Sequence, residues 1–208
     1  MPAIAPTVHT NQQKGNKTMT KEPFETTTKG DRQTMEAFEY LYNGEWEYLK
    51  KLVSSLPESA VAVNIGAGAG TSGLILVEAL NVEQSFTVDI TKDSSPFGCL
   101  EGELNCFKAA KVDYTKHTQI HSDSKVAGKE WSGPKLDFLF VDGDHSYEGC
   151  AGDITSWLPH MKKGGIMAIH DYDAEVWPDV ARAVRNELLH KGHEELGRAD
   201  TVIAFRMV

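Results

Sequence analysis

One glycine-spaced turn constrains the fold of this chain more than any other stretch. The β-branched run Val61–Ile65 leads into glycines at three alternate positions, Gly66, Gly68 and Gly70, and an apolar helix pattern follows from Ser72 to Leu80. Glycine lets the backbone adopt left-handed conformations and lets a ligand approach the main chain, while the following helix directs amide groups at that ligand. The stretch predicts a strand, a tight turn and a helix around a nucleotide-like molecule, although the glycines alone fit an ordinary βα turn equally well.

Length and composition limit what can surround this turn. A chain of 208 residues that is 40% hydrophobic and 25% charged is typical of one soluble globular domain. The net charge of -9 excludes a sequence-independent nucleic-acid binder, because phosphate contacts need clustered Lys and Arg. Three cysteines, Cys99, Cys106 and Cys150, lack metal-type spacing and favour reduced thiols in a cytoplasmic protein. No apolar run approaches the ~20 residues that span a bilayer, so we expect no membrane partner.

The chain changes character before the glycine turn. Residues 1–30 are rich in Thr, Lys, Asn, Gln and Pro without apolar periodicity, which predicts a flexible N-terminal tail. Residues 31–208 predict a single domain, in which residues 31–57 form two short helices broken near Asn43 and residues 60–208 form the ligand-binding core. The aromatic side chains of these helices fit core packing, a pocket wall or a homodimer contact.

Alternating strand and helix patterns follow the first helix. Further strands are expected at Ser85–Ile90, His117–His121, Leu136–Val141, Ile166–Ile169 and Thr201–Val208, the last pairing with a short strand near Glu195–Arg198. The segment Lys162–Gly165 is predicted to be a turn before the strand Ile166–Ile169. Successive β and α segments predict a Rossmann-like, doubly wound α/β sheet, mostly parallel, with helices on both faces and a closing hairpin.

Polar residues follow three of these strands. Asp89 lies roughly 20 residues beyond the glycines, the spacing at which a carboxylate accepts from two ribose hydroxyls in an α/β nucleotide fold. Asp142 and His145 follow the most apolar strand, and His170-Asp171 follow the next. Because ligands bind at the carboxyl ends of parallel strands, these are candidate functional residues, with hydrogen-bonded structural histidines as the alternative. For Asp123, capping of the following helix is the simpler interpretation.

Four motifs occur in a fixed order along the chain: Asn64-Ile65-Gly66-Ala67-Gly68-Ala69-Gly70, then Asp89, then Asp142-Gly143-Asp144-His145-Ser146-Tyr147-Glu148-Gly149, then Gly164-Gly165-Ile166 before His170-Asp171-Tyr172. Together they resemble the class I S-adenosylmethionine-dependent methyltransferases, within them the small single-domain group with an Asp-Gly-Asp-His-Ser-Tyr box, which includes catechol-type and macrocin-type O-methyltransferases. The resemblance runs from about residue 60 to the C-terminus. It implies a sheet of about seven strands with an antiparallel last strand.

The resemblance also implies where S-adenosyl-L-methionine binds. The implied cofactor-binding residues are Asn64, Gly66, Ala67, Gly68, Gly70, Thr71, Ser72, Asp89, Asp123, Ser124 and Asp142. The glycine turn would cradle the methionine part, Asp89 would hold the ribose hydroxyls, and Asp123 with Ser124 would lie by the adenine. Asn64 departs from the family, which usually has an acid there; asparagine keeps an acceptor for an amino group or a loop amide but lacks the negative charge.

Metal-dependent O-methyltransferases of the catechol type resemble the chain at a further point. They hold a divalent ion with an acid that ends the fourth strand and two adjacent residues that end the fifth, which here are Asp142, His170 and Asp171. His170 stands where that group has an acid, and imidazole is a poor Mg²⁺ ligand, so either Mn²⁺ binds or no metal does. The ion would lower the pKa of an acceptor hydroxyl, with His145 as the candidate general base.

These implications predict methyl transfer to a hydroxyl of a small-molecule acceptor, with Asp142, His145, His170 and Asp171 as the catalytic set. Two alternatives stay open. The segment Gly68–Gly73 also fits the G-x-G-x-x-G pattern of an NAD(P)-binding oxidoreductase, although no Tyr-Lys pair follows Asp89. Asn64 and His170 also fit a methyltransferase-like fold that binds ligands without catalysis.

Overall fold

Residues 7–9, 41–93 and 98–208 are described by the structure, a computed structural model. The strands are β1 (Thr7–His9), β2 (Ala60–Ile65), β3 (Val82–Asp89), β4 (His117–His121), β5 (Leu136–Val141), β6 (Met161–Ile169), β7 (Glu194–Ala199) and β8 (Val202–Arg206). The helices are α1 (Asn43–Ser54), α2 (Thr71–Glu78), α3 (Leu100–Ala110), α4 (Ser124–Lys129), α5 (Tyr147–Trp157) and α6 (Pro178–Glu187), with 3₁₀ turns at Leu158–His160 and Leu189–Lys191. No helix within these ranges is both long enough and apolar enough to cross a membrane.

The strands form one sheet in the order β1-β4-β3-β2-β5-β6-β8-β7. The five strands from β4 to β6 in this order run parallel, whereas β8 is antiparallel to both of its neighbours. This confirms the predicted Rossmann-like sheet, its antiparallel last strand and its closing hairpin.

The structure describes only part of the N-terminal region for which we made predictions. Within the segment predicted as a tail, β1 pairs antiparallel with β4, and the rest of residues 1–30 lie outside the described residues. Of the two helices predicted over residues 31–57, α1 is present and begins at the expected break near Asn43, while the first lies outside the described residues.

The core lies on both faces of the parallel strands. Phe138 and Phe140 of β5 pack in the cluster that includes residues of α1 and α2. Leu139 and Val141, one residue out of phase, pack in the cluster with α4, α5 and α6. Since both faces of β5 are covered, its side chains need no polar face, which explains the nearly continuous apolar sequence.

Strand β6 begins earlier than predicted. The segment Lys162–Gly165, predicted as a turn, lies inside the strand. The pairing with β5 is irregular there, and Gly164 adopts a φ of 81° while its N–H donates to the Met207 carbonyl at 2.8 Å. A glycine bulge therefore lets the strand continue through a sequence that resembles a turn.

A buried carboxylate ties α3 to the strands beneath the glycine turn. Glu103 is fully buried, and its oxygens accept from Thr87 Oγ1 at 2.6 Å and Gln119 Nε2 at 2.7 Å. His117 Nε2 lies 3.3 Å from the same carboxylate and also orients the Ser85 hydroxyl, which lies 2.9 Å from His117 Nδ1. A buried carboxylate costs free energy unless it is hydrogen-bonded, so this network specifies how α3 docks.

Substitution of Gly73, inside α2, tests this packing. Alanine ordinarily favours a helix over glycine by about 1 kcal/mol, but a Cβ at Gly73 would lie 2.1 Å from Glu103 Oε1 and 3.1 Å from Phe107 Cζ. We expect Gly73→Ala to lower the free energy of unfolding by about 1–3 kcal/mol in urea titrations, because Glu103 must move away from its partners.

Gly102→Ala in α3 is the matched control. A Cβ there would lie 3.6 Å from Cys99 Sγ, which is an ordinary contact, so we expect a gain of about 0.5–1 kcal/mol from helix propensity alone. A stabilised Gly73→Ala variant would contradict the rigid position of Glu103.

Candidate functional site

The carboxyl ends of four adjacent parallel strands meet at one edge of the sheet. Backbone hydrogen bonds continue there past the strands: Gly66 N–H donates to Val88 O at 2.9 Å, Asp142 N–H to Ile65 O at 3.0 Å, and His170 N–H to Val141 O at 3.0 Å. The loops that carry the predicted site residues therefore leave β3, β2, β5 and β6 at one level. The side chains of these loops are therefore close enough to contact the same bound ligands.

The glycine turn has the predicted strand–turn–helix geometry. Gly66, Gly68 and Gly70 have φ of 91°, 51° and 95°. A Cβ on Gly66 would lie 2.0 Å from the Asp142 carbonyl oxygen, so only glycine lets β2 pass the end of β5 here. Gly70 is the N-cap of α2, which places Thr71 and Ser72 in the first turn of that helix.

Asp89 ends β3 beside this turn. Its Oδ2 accepts from the Ala67 N–H at 2.7 Å, and its Oδ1 accepts from the Thr91 N–H at 2.6 Å. Burial raises the pKa of Asp89 above its ordinary value, and the two amide bonds only partly oppose this. Each amide takes one lone pair, and a carboxylate oxygen has two, so the geometry leaves acceptor capacity for ligand hydroxyls.

Asn64 supports the turn from below. Its fully buried amide donates to the Gly66 carbonyl at 2.6 Å and lies 3.4 Å from Thr87 Oγ1. Its Oδ1 is also buried and has no hydrogen-bond partner among the described residues. The amide therefore donates to a loop carbonyl, which a carboxylate could not do, and the predicted role of the oxygen as acceptor for an amino group or a loop amide stays a prediction.

Asp123 has the capping role that the sequence favoured. Its Oδ1 accepts from the N–H groups of Lys125 at 2.8 Å and Val126 at 3.2 Å, at the start of α4. The next residue, Ser124, donates its hydroxyl to Asp153 Oδ1. Both side chains thus brace the end of β4, and their predicted position by the adenine stays a prediction.

Asp153 is a buried acid that sequence reasoning missed. It lies on α5, is fully buried, and its Oδ2 has no hydrogen-bond partner among the described residues. Burial raises its pKa to about 6. An acid within a helical pattern normally indicates a solvated face, so the sequence carried no signal for this contact.

The four residues predicted as catalytic lie together. His170 Nδ1 lies 3.2 Å from Asp142 Oδ1 and 3.3 Å from Asp171 Oδ2. His145 Nε2 lies 2.8 Å from Asp171 Oδ2 and 3.8 Å from Asp142 Oδ1. Each carboxylate therefore contacts both imidazoles, in a cluster at the ends of β5 and β6.

The loop after β5 holds its shape through its own side chains. Asp144 Oδ1 accepts from the Ser146 N–H at 2.9 Å, and Ser146 Oγ accepts from the Gly149 N–H at 3.0 Å. Asp144 thus braces the loop. This arrangement presents His145 to the neighbouring loop after β6.

Glu45 joins this cluster from a distant part of the sequence. It lies in the first turn of α1, is fully buried, and its Oε2 lies 3.2 Å from His170 Nε2. Oε2 also accepts from the Tyr42 N–H at 2.8 Å, while Oε1 accepts from the Thr201 N–H at 2.9 Å and hydroxyl at 2.6 Å. Sequence reasoning missed Glu45 because an acid near a helix start has a sufficient local explanation.

Opposite charges dominate the electrostatics of the cluster. Burial alone would lower the pKa of His170, but Asp142, Asp171 and Glu45 outweigh burial and raise that pKa far above its ordinary value. Asp142 and then Asp171 raise the pKa of His145 to about 9. Burial would raise the pKa values of Asp142 and Asp171, yet the imidazoles hold both below their ordinary values. At neutral pH two imidazolium groups therefore lie among three carboxylates.

The cluster has donors that fit a metal ion. Asp142 Oδ1, His170 Nδ1 and Asp171 Oδ2 all lie within 4.8 Å of one another. The other nitrogen of His170 faces the Glu45 carboxylate, as the second nitrogen of a metal-binding histidine usually does. Two carboxylates and one imidazole suit a transition ion such as Mn²⁺ better than Mg²⁺.

An aromatic side chain covers His145. The Trp177 ring stacks on the His145 imidazole with centroids 4.5 Å apart and an interplanar angle of 17°. Trp177 is 43% exposed and ends the loop that begins at Asp171, whose φ of 56° turns the chain sharply after β6. This loop forms one wall beside the carboxylate–imidazole cluster.

Comparisons with known proteins agree with this geometry. A family model described as a methyltransferase domain matches residues 63–172, just over half of the chain, and the chain belongs to that family. R132, an uncharacterized protein of Acanthamoeba polyphaga mimivirus, is 26% identical over 131 residues, which cover 59% of this chain and 56% of R132. The chain thus spans little more than half the length of this curated relative.

Solved structures share the fold. The O-methyltransferase NovP matches with a TM-score of 0.67 and 15% identity, covering 82% of each chain. SMU.1697c from Streptococcus mutans, solved in complex with SAH, matches with a TM-score of 0.60 and 12% identity, covering 81% of this chain and 99% of that chain. At such identities the likeness shows the Rossmann-like methyltransferase fold.

Asn64→Asp tests whether the amide supports the turn. A carboxylate cannot donate to Gly66 O and would repel it, so we expect the free energy of unfolding to fall by about 1–3 kcal/mol and S-adenosylmethionine affinity to fall with it. Asn81→Asp is the control, because the Asn81 amide also donates to main-chain carbonyls, Val53 O at the end of α1 and Leu56 O beyond it, which are not part of the glycine turn. Tighter cofactor binding by Asn64→Asp at unchanged stability would contradict this role.

Asp153 predicts a pH dependence of stability. Its pKa of about 6 in the folded protein exceeds the value of about 4 in the unfolded chain, so the folded state binds this proton more tightly. The resulting stabilisation is complete below pH about 4 and is lost as the pH rises through about 6. We therefore expect Asp153→Asn, relative to wild type, to gain about 2 kcal/mol of unfolding free energy between pH 4 and 7.

Urea unfolding at several pH values measures this difference. Glu58→Gln, at an exposed acid, is the control and should leave the pH dependence unchanged. A constant difference between Asp153→Asn and wild type from pH 4 to 7 would mean that Asp153 does not titrate in this range.

Proposed function

We propose that this methyltransferase-family protein uses S-adenosylmethionine to methylate a hydroxyl oxygen of a small molecule, with a divalent transition ion held by Asp142, His170 and Asp171. One observation carries the proposal: a glycine turn with its acid and a carboxylate–imidazole cluster lie side by side at one sheet edge. The family match supports methyl transfer, and the SAH complex of a protein with this fold supports the type of cofactor.

The residues around the glycine turn fit such a cofactor. Asn64 has a buried, unpartnered oxygen beneath the turn, and Asp89 has further acceptor capacity at its side. Ile90 directly follows Asp89, and Val126 lies two residues after Ser124; both are exposed apolar side chains of the kind that cover an adenine ring. In this proposal the turn holds the methionine part, Asp89 the ribose hydroxyls, and Asp123 with Ser124 the adenine side.

The cluster provides the groups that oxygen methylation needs. A C–O bond forms as the S–CH₃ bond breaks, SAH leaves, and the hydroxyl proton must pass to a base. A bound divalent ion supplies a lower hydroxyl pKa and an oriented oxygen. His145 contacts both aspartates beside the exposed Trp177, so it is the base we propose. With a pKa of about 9 it is protonated at neutral pH and must first release that proton.

Asp89→Asn tests the cofactor site. An amide presents one acceptor oxygen where the carboxylate presents two, so we expect S-adenosylmethionine to bind about tenfold more weakly or worse in calorimetric titrations. Asp113→Asn is the matched control, because Asp113 accepts from the Thr115 N–H in the same i to i+2 arrangement that joins Asp89 to Thr91. Equal affinities for all three proteins would contradict the role of Asp89.

Transfer itself is tested with methyl-labelled S-adenosylmethionine, Mn²⁺ and panels of hydroxyl, amine and carboxyl compounds. We expect labelled product from hydroxyl compounds and no heat of binding with NAD or NADP. Binding of NAD alone would favour the oxidoreductase alternative. Cofactor binding without any labelled product would favour a binding module without catalysis.

A further inference from the structure

One residue of the cluster lies outside the segment that matches the family model. The match covers residues 63–172, whereas Glu45 and its partner Thr201 lie before and after it. Glu45 contacts His170 across 125 positions of sequence. The cluster therefore includes a residue from an element that the family match does not cover.

We propose that Glu45 is a positioning residue: its carboxylate accepts the Nε2–H of His170 and so commits Nδ1 of that ring to face Asp142 and Asp171. The inference rests on the proposed function, because it concerns the same cluster. In this proposal, a residue of helix α1 sets the orientation of the His170 ring, although no sequence motif indicated a role for that helix.

The direction of the hydrogen bond follows from the chemistry of the partners. An ionised carboxylate has no hydrogen to donate, so at 3.2 Å the His170 ring must be the donor through Nε2. Both oxygens of Glu45 already accept main-chain N–H groups, Oε2 from Tyr42 at 2.8 Å and Oε1 from Thr201 at 2.9 Å. This arrangement of donors favours the ionised carboxylate, which only accepts.

The other edge of the ring carries the function. Nδ1 lies 3.2 Å from Asp142 Oδ1 and 3.3 Å from Asp171 Oδ2, which are the remaining donors of the candidate metal site. A histidine ligand binds a metal through the nitrogen without a proton while the opposite N–H is held by a carboxylate or carbonyl. Glu45 supplies that holding group.

The structural and positioning parts of Glu45 use different oxygens. Oε1 takes both bonds from Thr201 and so fastens α1 to the turn between β7 and β8. Oε2 takes the bond from His170, and it also accepts from the Tyr42 N–H at the start of the same helix. Because Thr201 and His170 contact different oxygens, a substitution of Thr201 can change one contact and leave the other in place.

Two variants of the full chain separate the contact with His170 from the contact with Thr201. Glu45→Gln replaces the two carboxylate oxygens with one amide oxygen and one NH₂ group, so the N–H groups of Thr201 and Tyr42 compete with His170 for a single acceptor. His170 then loses the carboxylate that holds its Nε2–H and so sets which nitrogen faces the metal site. Thr201→Val removes the hydroxyl bond to Oε1 and leaves the contact with His170 in place.

Two measurements follow these variants: Mn²⁺ affinity from the electron paramagnetic resonance signal of the free ion, and the imidazole N–H signals of ¹⁵N-labelled protein. His170→Gln assigns the His170 signal by its loss. We expect Glu45→Gln to weaken Mn²⁺ binding ten- to a hundredfold and to remove the Nε2–H signal of His170. Thr201→Val should keep that signal and change Mn²⁺ affinity less than threefold, even if it lowers the melting temperature as much as Glu45→Gln does.

The outcomes distinguish this inference from the proposed function. Equal losses of Mn²⁺ affinity in both variants would show a structural role alone and overturn the inference. An unchanged Nε2–H signal in Glu45→Gln would overturn it as well. If wild type binds no Mn²⁺, the metal part of the proposed function fails, whereas loss of the Nε2–H signal in Glu45→Gln alone would still support the positioning of His170.

Discussion

The backbone ladder at the carboxyl edge of the parallel strands is the constraint on which the site depends. Hydrogen bonds continue one residue past β2, β5 and β6, and Gly66 at the end of β2 bonds to Val88 of β3, so four loops leave the sheet at the same level. Parallel strands place all their carboxyl ends at one edge, and the apolar core on both faces keeps the strands rigid. Because the sheet already aligns the strand ends, short polar loops at that edge are sufficient to form the site.

Opposite charges stabilise the cluster of imidazoles and carboxylates at this edge of the sheet. Two imidazoles and three carboxylates are held within hydrogen-bond or ion-pair distance, with His170 and Glu45 buried. Each of these groups would be costly alone, and each is stabilised by the opposite charge beside it. In the proposed function, a bound cation would replace the positive charge of an imidazolium. The same reasoning explains why Glu103, buried beneath the glycine turn, needs several partners.

Several parts of the fold and site followed from local sequence patterns. The turn at Gly66–Gly70, the acid at Asp89 and the polar ends of β5 and β6 were predictable because glycine spacing and strand length are local properties. Asp123 also capped its helix as its neighbours in sequence suggested. The predicted start of β6 was wrong. The segment Lys162–Gly165 resembles a turn in sequence, and only its bulged pairing with β5 keeps it in the sheet.

The sequence by itself determined the order of strands and helices from β2 onward, the glycine turn and which acids and histidines stand at strand ends, but not β1, which lies within the predicted tail. Only the tertiary structure decided that Glu45 faces His170, that Asp153 is buried, and that the Asn64 amide donates to the turn. These three depend on contacts between elements distant in sequence or on the direction of a hydrogen bond. Periodicity reports which face of an element is buried, but a polar residue's partner is chosen by three-dimensional packing.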